Sequence, residues 1–257
     1  MEKLTLVKTG GNIIEYPQSL DQLLHNFVQI HGKKILVHGG GKTTNILGAK
    51  MGIVPNMIEG RRITDKATLD LVTMIYAGLI NKNVVAQLQA KSCQALGLTG
   101  ADLNSIQSVK RPVGEIDYGW VGDIVKVNTT ILRPLLDRYI VPVFCAITHD
   151  KHGNLLNTNA DTIAATLGAA FAEDFEVHIF YVFEKKGVLL NAEDEMSVIR
   201  NLDEISFEQY KKENIIVEGM IPKLKNGFDA LKQGVKEVFV CDIAGMLTAQ
   251  GTMLSLE

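Results

Sequence analysis

The sequence predicts an α/β fold, in which helices cover both faces of a mainly parallel central sheet and form a three-layer αβα sandwich. Apolar runs of strand length, at 4–7 and 34–37, alternate with stretches of helical spacing such as 19–30. Strands that alternate with helices pair in parallel through crossover helices. Two of these runs end in glycine loops, 8–11 and 38–41. Since such sheets bind ligands beyond the carboxyl ends of their strands, both loops are expected at the binding edge.

The first half of the chain adds further elements to this pattern. A helix is predicted from about Thr43, directly after the second glycine loop. The apolar stretch 67–96 is long enough for two helices, because Gly78 and Asn81 interrupt it. The segment 105–127 is β-rich, with turn signals at Gly114 and at 117–119.

The second half continues the same alternation to the end of the chain. Helices are predicted at 129–138, 160–172, 205–213 and 221–233, and buried strands at 140–146, 177–183 and 235–240. The sequence contains no repeat and no low-complexity linker, so a single domain, 1–257, is expected. The polar, turn-like stretch 150–153 divides it into approximate lobes, 1–150 and 151–257.

Composition excludes several classes of protein. The net charge is −3, with no long basic block, which argues against nucleic acid or an anionic membrane as the main partner. The amino terminus lacks a signal pattern and no run approaches a spanning helix, so a cytoplasmic location is expected. Cys93, Cys145 and Cys241 form no CxxC pair, and free buried thiols are the simplest interpretation.

The glycine loops favour bound phosphate. Glycine lets backbone N–H groups approach an anion closely, and the dipole of a following helix adds to the attraction. A tight strand-to-helix turn is the alternative. The P-loop motif fails because its first glycine would have to be Leu36, so Lys42 is expected to be a solvated helix residue. No dinucleotide fingerprint follows an early strand.

Several charged residues are candidates for a site, each with a structural alternative. Lys8 ends an apolar strand, where it either meets an anion or extends to solvent. Lys223 follows a helix-starting proline and taken alone is typical of a surface. Asp161 begins a helix that Asn159 caps, although Asn157, Asn159 and Asp161 together exceed what capping requires.

Two further features have competing interpretations. The Arg61-Arg62 pair fits a carboxylate clamp, because the guanidinium group matches the carboxylate geometry, and it equally fits a solvated loop. His38, just before the glycines, is expected to be structural rather than catalytic.

Taken in order, these pieces resemble the amino-acid kinase family over about 4–252. The motifs are K-x-G-G, V-H-G-G-G, G-x-R-x-T, G-x-V-G-[DE]-[IV], N-x-N-A-D and D/E-G-M-x-x-K. Within the family, the resemblance implies ATP-dependent phosphorylation of the side-chain carboxylate of an N-acyl-L-glutamate, in arginine biosynthesis. N-acetyl-L-glutamate is the expected substrate and N-succinyl-L-glutamate the alternative. Mg²⁺ is expected to arrive with ATP, and no protein metal site is expected.

The resemblance also assigns roles to individual residues. Lys8 and Lys223 would stabilise the phosphoryl group in flight, with Asp161 holding both lysines, and these three form the catalytic set. Gly11, Gly39 and Gly40 would donate N–H groups to phosphates, and Arg62 and Asn157 would bind the α-carboxylate of the substrate. The nucleotide would be lined by Glu184, Gly187, Ile215, Ile216 and Val217, and 114–125 would resemble a hairpin lid over the acyl-glutamate site.

The residue types suit this chemistry. Two unit charges 4 Å apart at an effective dielectric of 20 repel by roughly 4 kcal/mol, so lysines and Mg²⁺ must offset the approach of a carboxylate to a polyphosphate. The attacking carboxylate is already ionised at pH 7, so no general base is required.

Two stretches depart from the family pattern. The usual Ser/Thr-Asp-Val-x-Gly becomes Phe183-Glu184-Lys185-Lys186-Gly187, which concerns the nucleotide contacts. The segment 99–104 also differs, and acyl-group selection is expected to depend on it. Arginine-inhibited members of the family typically carry an extra N-terminal helix that builds a hexamer. Because only seven residues precede Lys8, the resemblance implies an arginine-insensitive homodimer.

Two other functions remain open from the sequence. A sibling kinase acting on carbamate, glutamate or aspartate is one, and Arg62 and Asn157 argue against it. A non-catalytic nucleotide or amino-acid sensor is the other, supported only by the altered 183–186 stretch and opposed by the presence of Lys8, Asp161 and Lys223 together.

Overall fold

The computed structural model describes residues 1–58, 61–217 and 219–257, without the side chain of Arg61. Gly60 of G-x-R-x-T, Glu218 of D/E-G-M-x-x-K and the Arg61 half of the proposed arginine clamp lie outside the described residues.

The described strands run along the whole chain. They are β1 Glu2–Thr9, β2 Lys33–His38, β3 Asn56–Ile58, β4 Arg61–Ile63, β5 Ala95–Leu98, β6 Ile106–Lys110, β7 Gly122–Val127, β8 Val141–Cys145, β9 Ile147–His149, β10 Leu155–Asn157, β11 Phe175–Val182, β12 Asn201–Leu202, β13 Glu237–Cys241 and β14 Thr252–Leu254. The described helices are α1 Gly11–Glu15, α2 Pro17–Gln29, α3 Gly41–Lys50, α4 Lys66–Thr73, α5 Asn81–Ala90, α6 Thr129–Asp137, α7 Ala160–Phe171, α8 Glu204–Lys212, α9 Ile221–Lys232 and α10 Gly245–Thr248.

The main sheet confirms the predicted α/β architecture. Its order within the described residues is β12-β14-β13-β11-β1-β2-β8-β5, and every neighbouring pair is parallel except β13–β14. β2 and β8 are buried along their full length, as central strands covered on both faces are. On the helical layers, α7 packs on α9 and on β11, while α2 packs on α5 and α10.

Strand register brings separate parts of the sequence to one edge. Lys8 of β1 lies opposite Val37 of β2 and Tyr181 of β11. The chain leaves all three strands at the same level, so the two glycine loops and the segment after β11 emerge side by side. The ligand-binding edge expected from the sequence is therefore present.

A smaller sheet covers part of this edge. Its order is β10-β9-β6-β7, and β6 and β7 form an antiparallel hairpin. Isolated bridges join Thr64 to Gly119 and Val121 to Asn157, so the connection between the hairpin strands is tied to both β4 and β10. Residues 121–123 of the predicted lid thereby line the same cavity as the glycine loops.

The stretch predicted as two helices at 67–96 requires a correction. Helix continues without a break from Lys66 to Ala90, with a π-helical segment, Met74–Ile80, around Gly78. Residues Ala95–Leu98 instead form the edge strand β5, because they pair with β8. The helix is long and apolar enough to cross a membrane by composition, but nearly half of it is buried inside the domain, as expected of a core helix.

Several short elements are not indicated by any pattern in the sequence. The five-residue α1, the β3–β4 hairpin and the strands β9, β10, β12 and β14 were not predicted. Each is too short to show a period of its own, and each is stabilised by its neighbours in space.

Candidate active site

The site is built around one buried carboxylate that holds two lysines. Lys8 ends β1, Asp161 lies in the first turn of α7, and Lys223 lies in the first turn of α9. Both ammonium groups contact the same oxygen, Asp161 Oδ1, at 2.8 Å from Lys8 Nζ and 3.0 Å from Lys223 Nζ. All three residues are buried, so the cluster carries a net positive charge out of water. That charge suits a phosphoryl group.

The cluster shifts the pKa values of Asp161 and Lys223. Burial alone would raise the pKa of the Asp161 carboxyl, but Lys223 and Lys8 outweigh it and hold the pKa well below its usual range. Burial lowers the pKa of Lys223 to about 8 from an ordinary value of 10.5, against the raising effect of Asp161. Asp161 is therefore an anion that orients lysines, and its carboxylate is too weakly basic to act as a general base at neutral pH.

Asp161 owes its position to the local sequence. The side chain of Asn159 caps α7 by accepting hydrogen bonds from Asp161 N at 2.8 Å and Thr162 N at 3.1 Å. The predicted cap is thus confirmed. Because Asn159 satisfies these backbone groups, the Asp161 side chain is left to bind the lysines.

The glycine loops lie beside this cluster. Gly11 starts α1 and Gly41 starts α3, and a Cβ added to Gly11 would lie only 3.8 Å from Gly41 N. A Cβ on Gly40 would come within 2.3 Å of Ile80 Cδ1 and 3.0 Å of Tyr76 Cδ1. Gly40 is therefore required for close packing as well as for exposed N–H groups. The π-helical segment sets this contact, because it carries both Tyr76 and Ile80.

Most of the predicted site residues line one cavity of about 260 Å³. Its predicted members are Lys8, Gly11, Gly39, Gly40, Arg62, Asn157 and Asp161. Lys223 is not among the described lining residues, but its ammonium group contacts Asp161, which is. The Val121–Asp123 part of the predicted lid also lines the cavity.

Arg62 and Asn157 are held in fixed orientations. Arg62 donates through Nη2 to Asn45 Oδ1 at 2.5 Å and to Gly41 O at 3.3 Å, both on α3. Asn157 donates through Nδ2 to Thr64 Oγ1 at 3.0 Å. Arg62 is buried, which rules out the solvated-loop interpretation for this arginine.

Of the predicted nucleotide-binding residues, Gly11 lines this cavity, and the other five lie outside its described lining. Glu184 is exposed and accepts a hydrogen bond from Asn12 Nδ2 at 2.8 Å, and it lines a separate cavity of about 580 Å³ with Tyr16 and Asp242. Gly187 lies beneath Thr252, where a Cβ would approach Thr252 Oγ1 to 2.7 Å. Ile216 is buried, Ile215 is partly buried and Val217 is exposed.

Sequence reasoning missed some residues that line the cavity. Tyr76, Arg111 and Asp123 line the cavity, and Arg111, just after β6, makes three hydrogen bonds to the Asp123 carboxylate on β7. Both residues lie in the segment 105–127 that the sequence marks as β-rich, but that signal does not specify their pairing. The segment 99–104 does not contribute to the described lining of this cavity, and its role in acyl-group selection stays a prediction.

Other expectations are confirmed. His38 is buried, contacts Gly39 O and Asn81 Nδ2, and burial lowers its pKa to about 4, so it is a neutral structural residue. Lys42 is exposed and donates to Tyr16 Oη. Cys145 and Cys241 are buried free thiols, and Cys93 is free and partly buried.

This fold and site define a phosphate-handling α/β protein, with a buried cationic cluster between two glycine loops at the carboxyl edge of a parallel sheet. Comparison with known proteins agrees. The model of the amino acid kinase family matches residues 3–242. The chain is 52% identical to an acetylglutamate kinase of Parabacteroides distasonis, covering 98% of this chain and 99% of that protein. It is 51% identical to an acetylglutamate kinase of Bacteroides thetaiotaomicron, covering 98% of each.

A solved structure shows the same fold. The crystal structure of smu.665 from Streptococcus mutans superimposes with a TM-score of 0.83 at 24% identity, covering 99% of both chains. The chain belongs to the amino acid kinase family.

Proposed function

We propose that this protein catalyses ATP-dependent phosphorylation of the side-chain carboxylate of N-acetyl-L-glutamate, giving the 5-acyl phosphate, as a step of arginine biosynthesis. Relatives about half identical over nearly their whole length carry the name acetylglutamate kinase. The observation that carries the proposal is the contact of both Lys8 and Lys223 with Asp161 in a cavity that also contains Arg62 and Asn157.

Lys8 and Lys223 act on the transferred phosphoryl group. In phosphoryl transfer, negative charge spreads over the equatorial oxygens, and fixed cations that meet this charge lower the barrier. The ammonium groups are oriented before substrate arrives, because Asp161 already holds them at 2.8 and 3.0 Å. The acceptor carboxylate needs no deprotonation at neutral pH.

The acceptor and the phosphates of ATP are bound by different groups. Arg62 and Asn157 bind the α-carboxylate, since a fixed guanidinium and an amide N–H₂ both donate to carboxylate oxygens. The backbone N–H groups of Gly11, Gly39 and Gly40 bind phosphate oxygens at the starts of α1 and α3. With the α-carboxylate bound at Arg62 and Asn157 and the phosphates bound at the glycine loops, the side-chain carboxylate is oriented toward the phosphoryl group.

ATP enters with Mg²⁺, and its adenosine part is proposed to contact Glu184, Gly187 and 215–217. Within the described residues, no three His, Cys, Asp or Glu side chains lie close enough to hold a metal. A metal held mainly by phosphate oxygens and water suits this arrangement, because Mg²⁺ keeps several waters and is commonly bound through substrate phosphates. When bound, it neutralises charge on the phosphates.

A substrate panel tests the function. ADP release is measured with Mg-ATP and N-acetyl-L-glutamate, N-succinyl-L-glutamate, L-glutamate or carbamate, while hydroxylamine traps any acyl phosphate. Trapped product with N-acetyl-L-glutamate as the preferred acceptor is expected. A preference for N-succinyl-L-glutamate would mean that the acyl group of the substrate is succinyl. Absence of ADP release with all four acceptors, despite nucleotide binding, would contradict the kinase proposal.

We also propose a homodimer in the cytoplasm. The π-helical region leaves Met74 and Leu79 about half exposed, and β5 is an edge strand of the main sheet. Apolar side chains beside a free sheet edge favour contact with a second copy. Light scattering is expected to give twice the mass of the chain, and a monomer at micromolar concentration would contradict this.

A further inference from the structure

One acidic residue beside the phosphate site has no role in the account above. Glu15 ends α1, the short helix that begins at the first glycine loop. Its Oε1 accepts a hydrogen bond from Thr43 N at 2.6 Å, in the first turn of α3. Glu15 thus connects the helix after the first glycine loop to the helix after the second one.

The amino terminus of α3 depends on this contact. Its N-cap residue, Gly40, has no side chain to cap the helix, and its first turn contains no acidic residue. A carboxylate at a helix start satisfies unpaired N–H groups and is favoured by the helix dipole. Glu15 supplies this cap from another helix, so the cap also fixes the position of α3 relative to α1.

The Glu15 carboxylate lies next to residues that line the cavity. A Cβ added to Gly11 would lie 3.7 Å from Glu15 Oε1 and 3.8 Å from Gly41 N, so the carboxylate and the starts of both helices are in near contact. The other oxygen, Glu15 Oε2, is buried and has no partner in the described residues. A buried carboxylate oxygen without a hydrogen-bond donor lowers the free energy of unfolding.

The same helix also holds the substrate-binding arginine. Arg62 donates to Gly41 O and to Asn45 Oδ1, both on α3. A shift of the α3 amino terminus would therefore move both the N–H groups of the second glycine loop and the guanidinium of Arg62. Since displacements near 1 Å can cost large factors in rate, this helix start must be well fixed.

We propose that Glu15 is a positioning residue for the transfer reaction: by capping α3 from α1, it sets the spacing between the two glycine loops and Arg62. The proposal rests on the kinase function proposed above. Glu15 does not contact the reacting atoms, and it acts through the hydrogen bond to Thr43 N.

Four variants test this role. Glu15→Ala removes the acceptor, and Glu15→Asp keeps the charge but shortens the reach. Glu15→Gln keeps both the reach and an acceptor oxygen. The matched control is Asp203→Ala, because Asp203 caps α8 through Ser206 N at 2.7 Å in a helix that contributes nothing to the described lining of the cavity.

Glu15→Ala and Glu15→Asp are expected to lower kcat about ten-fold, because reacting groups lose alignment, while Glu15→Gln stays within about two-fold of the parent. Amide hydrogen exchange over 39–50 is expected to accelerate in the first two variants only. Asp203→Ala should lower the melting temperature with unchanged kcat.

Full kcat in Glu15→Ala would overturn the proposal, as would equal losses in Glu15→Gln and Glu15→Ala, or equal kcat losses in Glu15→Ala and Asp203→Ala. The exchange measurement needs no turnover. If the parent protein fails to phosphorylate N-acetyl-L-glutamate, the kinase proposal fails, while faster exchange in Glu15→Ala and Glu15→Asp, with protection kept in Glu15→Gln, would still establish the cap.

Discussion

At the scale of single residues, the site depends on three buried charges that share one contact point. Removing one member of a buried charge cluster leaves the others poorly compensated. Lys8 and Lys223 both rely on Asp161 Oδ1, so this carboxylate controls the orientation of both cations. Asp161 is therefore expected to influence the transfer step more than binding of the nucleotide.

The first prediction concerns Asp161→Asn. The neutral amide cannot hold two ammonium groups by charge, so both lysines lose orientation, and Lys223 loses its proton more readily because Asp161 raises its pKa. We expect kcat to fall about 100-fold, a loss typical of removing a fixed transition-state contact, with a much smaller change in KM for Mg-ATP. The measurement is steady-state kinetics.

Asp229→Asn is the control, because Asp229 is exposed on α9, the helix that carries Lys223. It should leave kcat unchanged. A large loss of ATP affinity in Asp161→Asn with unchanged kcat would contradict the assignment.

The second prediction concerns pH. The pKa of Lys223 is lowered to about 8, and the amine is charged below this pH and neutral above it. If the charge is needed, kcat/KM for Mg-ATP is high below pH 8 and falls as pH rises through it. Bound phosphate favours the charged form, so the decline in kcat should begin at higher pH than the decline in kcat/KM.

Lys223→Arg provides the comparison, since a guanidinium stays protonated across this range. Its remaining activity should lack the alkaline decline. A parent profile that is flat to pH 10 would show that the charge of Lys223 is not needed.

At the scale of elements, the lid depends on a close backbone contact. Gly119, in the connection between β6 and β7, has φ +71°, and a Cβ there would lie 2.3 Å from Thr64 O. Thr64 O accepts a hydrogen bond from Trp120 N at 2.6 Å, and Asn157 N donates to Trp120 O at 2.9 Å. These bonds place the start of β7 over the cavity.

The third prediction is that Gly119→Ala loosens the lid. A left-handed conformation is unfavourable for alanine, and the added Cβ must also push against a backbone oxygen, so a stability loss of about 1–3 kcal/mol is expected. KM for N-acetyl-L-glutamate should rise several-fold, with a smaller effect on KM for Mg-ATP. Kinetics and thermal melting measure the two effects.

Gly114→Ala is the matched control within the same connection, because, among the described residues other than its chain neighbours, no atom lies within 4 Å of the Cβ it would add. Gly114→Ala should leave both KM for N-acetyl-L-glutamate and the melting temperature nearly unchanged. Equal effects of the two substitutions would argue that the lid position does not depend on the contact with Thr64.

At the scale of the whole molecule, the site draws on distant parts of the chain. Lys8 comes from the first strand, Asp161 from the middle and Lys223 from a late helix. The smaller sheet closes over the edge where they meet. Ligands that occupy this place connect the parts and should stabilise the fold as a unit.

The fourth prediction is a thermal shift. A ligand that binds only the folded state adds about 2.7 kcal/mol at 100 times its Kd. For a chain of this size, that corresponds to a rise in Tm of about 5 to 10 °C with Mg-ATP and N-acetyl-L-glutamate together. L-Glutamate in place of the acylated substrate should give a smaller rise, and no rise at saturating ligand would contradict the proposed site.

The sequence by itself determined the alternation of elements and much of the site. Strand β8 and residues 35–37 of β2 are apolar runs, and the Asn159 cap and the glycine loops are local signals that need no distant partner. Residues 95–98 show the limit of such signals, because a short apolar run becomes strand or helix according to what lies beside it.

Only the tertiary structure decided which side chains meet. The ion pairs of Lys8 and Lys223 with Asp161, the cap that Glu15 gives to α3 and the Arg111–Asp123 pair all join separate parts of the chain. No local pattern encodes them, because a hydrogen bond or ion pair forms at about 3 Å, and this proximity is set by the register of the sheet and the packing of its helices.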